Sequence, residues 1–344
     1  MNGQTKSSKQ ESRATAKVHR LAGRFEFTNN EICNFLDFTS SIVDEQVQWI
    51  TDNIKEGASE FQKFLLHYFG RGVFWERSAA VQKLVQLGLG RSIQWEKSVN
   101  RFALSVNLVT KFCPRGGRWF DAGSLGHDAI RVKLERPDIE VNSASYEGCI
   151  LCLNDTGLHY HDGRSPVPEL HVECKQCDLE RQKLDFTDDS VDLVTAFEVL
   201  EHYKFAPQHF LLEANRILKP RSWLVLTTPN GLSAAAIGRI LHGKHPAENP
   251  LYNRVPEYGR IHPLEYIGEQ LMDIVTFHGF DVSLLASINM APFDRGELEA
   301  ISAARRASSL LLGRHPGEFG EKWLLVARKA RRVSEPQYPE TLFE

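Results

Sequence analysis

The sequence predicts an α/β protein: a doubly wound, mostly parallel sheet covered on both faces, preceded by a helical N-terminal region. Three observations carry this. From residue 118 onward, short apolar runs alternate with helical patterns in the rhythm strand, helix, strand. The first run ends in Asp121-Ala-Gly-Ser-Leu-Gly126, an acid followed by glycines, as in the first β-α turn of a doubly wound sheet. Upstream, apolar residues between positions 30 and 112 recur at helical spacing.

Taken in order, residues 1–25 carry Lys6, Lys9, Arg13, Lys17, Arg20 and Arg24 without the apolar stretch a secretory signal needs, and read as a disordered basic tail. Residues 26–114 form the helical region. Asn30 is a candidate N-cap for a helix with apolar positions Ile32, Phe35, Leu36, Ile42, Val43, Val47, Ile50 and Ile54. Helices follow at 61–69, ended by Gly70, at 79–87, ended by Gly88, and at Ile93–Phe112 before Pro114-Arg-Gly-Gly117. Such a region serves either as a packing platform or as an acceptor-binding wall; its pattern identifies buried faces and assigns no ligand. Strands are expected at Arg118–Ala122, 139–144, 170–174, Val191–Phe197 and 223–227, within a domain spanning 115–330. Residues 331–344 read as a short loose tail.

Composition narrows the function classes. The chain has 344 residues, 25% of them charged, and a formal net charge of −3, so nothing attracts it globally to nucleic acid or anionic membrane. No apolar run reaches the roughly 18 residues of a membrane span. Six cysteines in a chain of this length fit a reducing cytoplasm better than a disulfide framework. Cys149-Ile-Leu-Cys152 and Cys174-Lys-Gln-Cys177, with His159 and His161 between them, approach zinc-ribbon spacing. Against zinc, Ile150 and Leu151 are poor knuckle residues and the second pair lies where a strand runs into Asp178, so ordinary thiols and no metal are expected.

Beyond the glycine turn, Asp178-Leu-Glu, Phe197-Glu-Val-Leu-Glu-His202, Leu218-Lys-Pro and Thr227-Thr-Pro-Asn230 follow in register. In these segments the chain resembles the class I S-adenosylmethionine-dependent methyltransferases, over roughly residues 115–330 and most closely the bacterial branch with "EVLEH" and "TTPN". Glu257-Tyr-Gly-Arg-Ile-His-Pro-Leu-Glu-Tyr266 also resembles a loop of that family. The resemblance implies a seven-stranded Rossmann-like sheet of order 3-2-1-4-5-7-6, with two further strands at 280–287 and 322–327, and S-adenosylmethionine as cofactor.

It also implies a set of site residues. Gly123 and Gly126 would let backbone approach the methionine part of the cofactor, with Asp121 accepting from its ammonium. The family's ribose-binding acid falls at Ser145 here, and Glu147, two residues on, is the candidate to replace it. Asp178 and Leu179 match the adenine contact, and Phe197 and Glu198 the adenine and methionine edges; a turn cap is the bland alternative for Asp178. The family's next glycines are replaced by Leu125 and His127, which narrows the turn. His202 and His262 are the catalytic candidates, since a histidine can take a proton from a hydroxyl near neutral pH. Other histidines, such as His242 and His245, are expected at the surface.

The expected function is methyl transfer to a small-molecule or glycan-type acceptor, most readily at oxygen, in the cytoplasm. Two rivals stand beside it. A nucleic-acid methyltransferase lacks support from any strongly basic domain or Asn/Asp-Pro-Pro-aromatic turn. A methyltransferase-like binding protein without turnover is suggested by Leu125, His127 and Ser145. Hydride transfer is excluded because the turn lacks Gly-x-Gly-x-x-Gly directly after the strand.

Overall fold

The computed structural model describes residues 93–340, apart from 155–156, 165, 205–206, 248–260, 289–303, 305 and 315–317. The expected basic tail and the helices before residue 93 lie outside the described residues, as do Tyr258, Gly259 and Arg260. Helix α1 (Ile93–Phe112) has its expected bounds. Phe102, Val106, Val109 and Phe112 recur every three or four residues and are all buried, which sets α1 lengthwise against the sheet. Pro114 and Gly116, whose φ is +64°, then turn the chain into the first strand.

Among the described residues, five helices and nine strands have complete bounds, and residues 306–312 are also helical. After α1 come β1 (Arg118–Ala122), α2 (His127–Glu135), β2 (Glu140–Ser145), the hairpin β3 (Cys149–Asn154) and β4 (Gly157–Tyr160), and β5 (His171–Gln176). Then follow β6 (Val191–Phe197), a 3₁₀ turn at Leu200–His202, α3 (Gln208–Ile217), β7 (Leu218–Pro229), α4 (Ala234–Leu241), α5 (Gly268–Phe277), β8 (Phe280–Ile288) and β9 (Lys322–Lys329). Side chains alternate along the strands between two apolar faces. Trp119, Leu193 and Phe197 join α1 and α2 in one core, whereas Phe120, Val194 and Ala196 join α3 and α5 in the other. A sheet apolar on both sides must be covered on both.

The sheet corrects the expectation in two respects. It has nine strands among the described residues, in the order β4-β3-β5-β2-β1-β6-β7-β9-β8, instead of seven. The extra pair is the β3–β4 hairpin, which folds back antiparallel on β5 and occupies the sheet edge. Without it the remaining strands keep the order anticipated from the resemblance. The sheet is also mixed, not mostly parallel: β1, β2, β5, β6 and β7 pair in parallel, while β3–β4, β3–β5, β7–β9 and β8–β9 are antiparallel. The parallel strands end at one edge, which collects the turns after β1, β2, β5 and β6.

Residues 331–337, read as part of a loose tail, are tied to the domain. Asn215 donates to the carbonyls of His278 and Arg331 at 3.0 and 2.9 Å and accepts from the Val333 amide. The Gln337 amide donates to His278 Nε2 at 3.3 Å. Among the described residues, no helix is long and apolar enough to cross a membrane.

Candidate functional site

The turn after β1 is built around Asp121. It is fully buried, and its Oδ2 accepts from Ser124 Oγ and, at 3.1 Å, from Ser143 Oγ on β2. Burial, and then the nearby charge of Asp128, raise its pKa well above the usual carboxylate range despite those hydroxyls. Its Oδ1 is buried without a hydrogen-bond partner. Gly123 and Gly126 have φ of +82° and +80°, but neither leaves its missing side chain's space to a ligand. A Cβ on Gly123 would stand 2.7 Å from Val199, and one on Gly126 would touch Leu151 and Val172 at 3.4 Å. Both glycines permit a left-handed turn that packs tightly on its own neighbours. Leu125 adopts φ +55°, the left-handed region its glycine counterparts would enter without strain. His127 bonds through Nε2 to the Tyr160 hydroxyl at 2.9 Å, joining α2 to the hairpin.

The turn after β2 places Ser145 where an acid is expected. Ser145 is buried and bonded inward, donating to the Glu147 carbonyl at 2.5 Å and accepting from Cys174 Sγ at 3.2 Å. Glu147 is exposed beside it. After β5, Asp178 Oδ1 accepts from the Glu180 amide at 3.0 Å and its carbonyl from the Gln182 amide at 2.8 Å, so Asp178 caps its own turn. Leu179 is buried in the α3–α5 core. Phe197, the last residue of β6, is packed by its side chain in the α1–α2 core.

The end of β6 is the most charged part of the site. Glu198 has φ +59° and pairs with Lys322 Nζ at 2.6 Å. Burial opposes its charge, but the Lys322 ammonium holds the carboxyl below its usual range. Its Oε1 is buried and has no hydrogen-bond partner. Two residues of the 3₁₀ turn follow. Glu201 is 1% exposed, accepts from Thr228 Oγ1 at 3.0 Å, and is pushed up to about 8 by burial and by the charge of Glu198. His202 Nδ1 faces the Ile261 carbonyl at 3.0 Å. His262 comes from the segment beyond, its Nδ1 3.3 Å from Glu265 Oε1. The His202 and His262 rings meet edge to face with centroids 4.8 Å apart. The two catalytic candidates, 60 positions apart in sequence, are thus neighbours at the turn after β6.

Glu201, Thr228 and Lys322 were not anticipated. Glu201 sits in the same Glu-Val-Leu-Glu-His run as Glu198, three positions on, and a turn of helix after β6 was the signal that could have found it. Lys322 opens β9 and offered no local signal. Asn230, at the end of "TTPN", serves the frame: its side chain donates to the Glu318 and Gly320 carbonyls at 2.7 and 2.8 Å. Cys149 and Cys174 are register partners across β3 and β5, with Cys149 Sγ toward the Leu125 carbonyl, and Cys152 pairs with His171.

The residues fit S-adenosylmethionine in chemistry. It carries an ammonium and a sulfonium, and the edge presents two buried carboxylate oxygens, Asp121 Oδ1 and Glu198 Oε1, without a hydrogen-bond partner within geometric limits among the described residues. Asp121 and Glu198 would hold its methionine part, Asp178 its adenine and Glu147 its ribose.

A methyltransferase-domain family model matches residues 150–226, a span that holds the Asp178 turn and Glu198-Val-Leu-Glu-His202 and begins after the glycine turn. A search of curated protein sequences found no match. Among solved structures, a chain of the complex between the Haloferax volcanii Trm112 methyltransferase activator and a methyltransferase is 15% identical, with TM-score 0.44, covering 74% of this chain and 99% of that one. An S-adenosylmethionine-dependent methyltransferase from Mesorhizobium loti is 16% identical, with TM-score 0.41, covering 70% and 100%. One from Aquifex aeolicus is 12% identical, with TM-score 0.38, covering 72% and 98%. The domain match, not these distant likenesses, is the finding that counts: residues 150–226 are similar to a methyltransferase domain.

Proposed function

We propose that the protein transfers a methyl group from S-adenosylmethionine to a small-molecule or glycan-type acceptor, at a hydroxyl oxygen. The observation that carries this reading is the meeting of His202 and His262 at the turn after β6, on the edge where the parallel strands end. S-adenosylmethionine, when bound, supplies an electrophilic methyl on a sulfonium. The chain's own task is then to hold the acceptor in line and to deal with the hydroxyl proton. Two imidazoles at the edge provide for both, and each ring is steered through Nδ1 by an acceptor, Ile261 O or Glu265. An oxygen nucleophile is favoured because it needs such help more than an amine does.

The test is methyl transfer from labelled S-adenosylmethionine across glycan, lipid, small-molecule and nucleic-acid acceptors, compared between the native chain and His262→Ala. Turnover in the variant should fall by about 10²-fold or more, with cofactor affinity nearly unchanged. Full turnover in the variant contradicts the role of His262. The second reading, a cofactor-binding protein without turnover, is favoured by Ser145, which turns inward where an acid would face the ribose. An inactive native chain across all four acceptor classes would establish it.

A further inference from the structure

We infer that Glu201, His202 and His262 form a binding site for one divalent transition-metal cation. Among the described residues these three bring a carboxylate oxygen and two ring nitrogens to within 4.8 Å of one another. The 3₁₀ turn supplies two ligands at adjacent positions, and the segment at Ile261 supplies the third. That segment is fastened to the sheet where Tyr266 bridges Asn230 at the end of β7.

Three features separate this cluster from a chance meeting of polar groups. First, each ring is oriented through Nδ1: the Ile261 carbonyl and the Glu265 carboxylate can only accept, so Nδ1 carries the proton in both rings. That fixes Nε2 as the ligating atom, and metal-bound histidines are held by such an outer acceptor as a rule. Second, the Glu201 carboxylate is similarly aimed, by the Thr228 hydroxyl at 3.0 Å. Third, Lys322 is committed to Glu198 at 2.6 Å, which removes both from the ligand set, and Glu201 itself is 1% exposed. A buried carboxylate facing two imidazoles is a donor set for a cation.

Two nitrogens and one oxygen favour Mn²⁺, Fe²⁺, Co²⁺ or Zn²⁺ over Mg²⁺ or Ca²⁺, which prefer oxygen donors throughout. Three protein ligands leave coordination positions for water or an acceptor hydroxyl, whose pKa such an ion lowers. That role rests on the methyl-transfer reading; the binding of the ion does not. As ligands, the histidines act on an acceptor through the ion instead of taking its proton themselves.

The test is titration of Co²⁺ into the chelator-stripped full-length chain by calorimetry, with S-adenosylmethionine binding measured in parallel. One Co²⁺ per chain is expected, bound at least about tenfold more weakly by His262→Ala and by Glu201→Gln. No uptake by the native chain, or equal affinity in both variants, overturns the site. Should the variants fail to fold, ¹⁵N spectra of the native chain decide. Zn²⁺ should move the Nε2 resonances of two of the thirteen histidines, and shifts in none or in many overturn the site. S-adenosylmethionine bound without Co²⁺ overturns the metal site alone and leaves the histidines as bases; Co²⁺ bound without S-adenosylmethionine upholds the site and contradicts the methyltransferase reading.

Discussion

Glu198 combines a left-handed backbone with a carboxylate that depends on a lysine from a distant strand. Strain of that kind persists where surrounding structure enforces it and is frequent at functional sites. Lys322→Ala would leave Glu198 charged, 15% exposed and without its cation, a change that costs about 3–5 kcal/mol for buried pairs. Urea unfolding should show a loss in that range, and Glu198→Gln in the same chain should recover part of it. A loss under about 1 kcal/mol would show the pair to be a surface contact. The acids of this edge were legible in the sequence because they follow apolar runs at strand ends. Their partners were not: Lys322 and Thr228 reach Glu198 and Glu201 through sheet pairing, which no local pattern records. Gly123 was legible as a turn glycine, whereas the Val199 side chain that fills the space beside it was not.

At the scale of elements, the strands that alternate between two apolar faces were read nearly to the residue, as with β1 and β6. The β3–β4 hairpin was not. Cys149–Asn154 is short and apolar, and the Asn154-Asp-Thr-Gly157 turn signal after it was passed over while the paired cysteines were weighed as zinc ligands and read as ordinary thiols. The junction of α5, β8 and the C-terminal segment carries a pH prediction. His278 is fully buried; its Nδ1 donates to the Ile274 carbonyl at 2.7 Å and its Nε2 accepts from the Gln337 amide. Burial is the main cause that lowers its pKa below the usual histidine value. The folded state therefore binds fewer protons than the unfolded state once pH falls below about 6.5. Stability is full above that value and lost as pH falls beneath it. The urea midpoint should drop between pH 7 and pH 5.5, and His278→Gln should flatten that part of the curve. An unchanged slope in the variant would place the titration elsewhere.

For the whole molecule, the sheet supplies a frame and its carboxyl edge supplies the chemistry, as open α/β sheets generally do. The frame was legible because buried strands and amphipathic helices leave periodic marks. The edge was legible only where a single turn holds the whole feature, as in Asp121-Ala-Gly-Ser, and not where Ser145 or Lys322 must be judged against distant neighbours. The acceptor is written in neither pattern, since loops that choose it carry no periodicity. The central claim is that this edge takes S-adenosylmethionine. Its most direct test is calorimetric titration of S-adenosylmethionine into the full-length, folded chain. One molecule bound per chain, with the affinity lost in Asp121→Ala, is the predicted result; no heat of binding at millimolar ligand would contradict it.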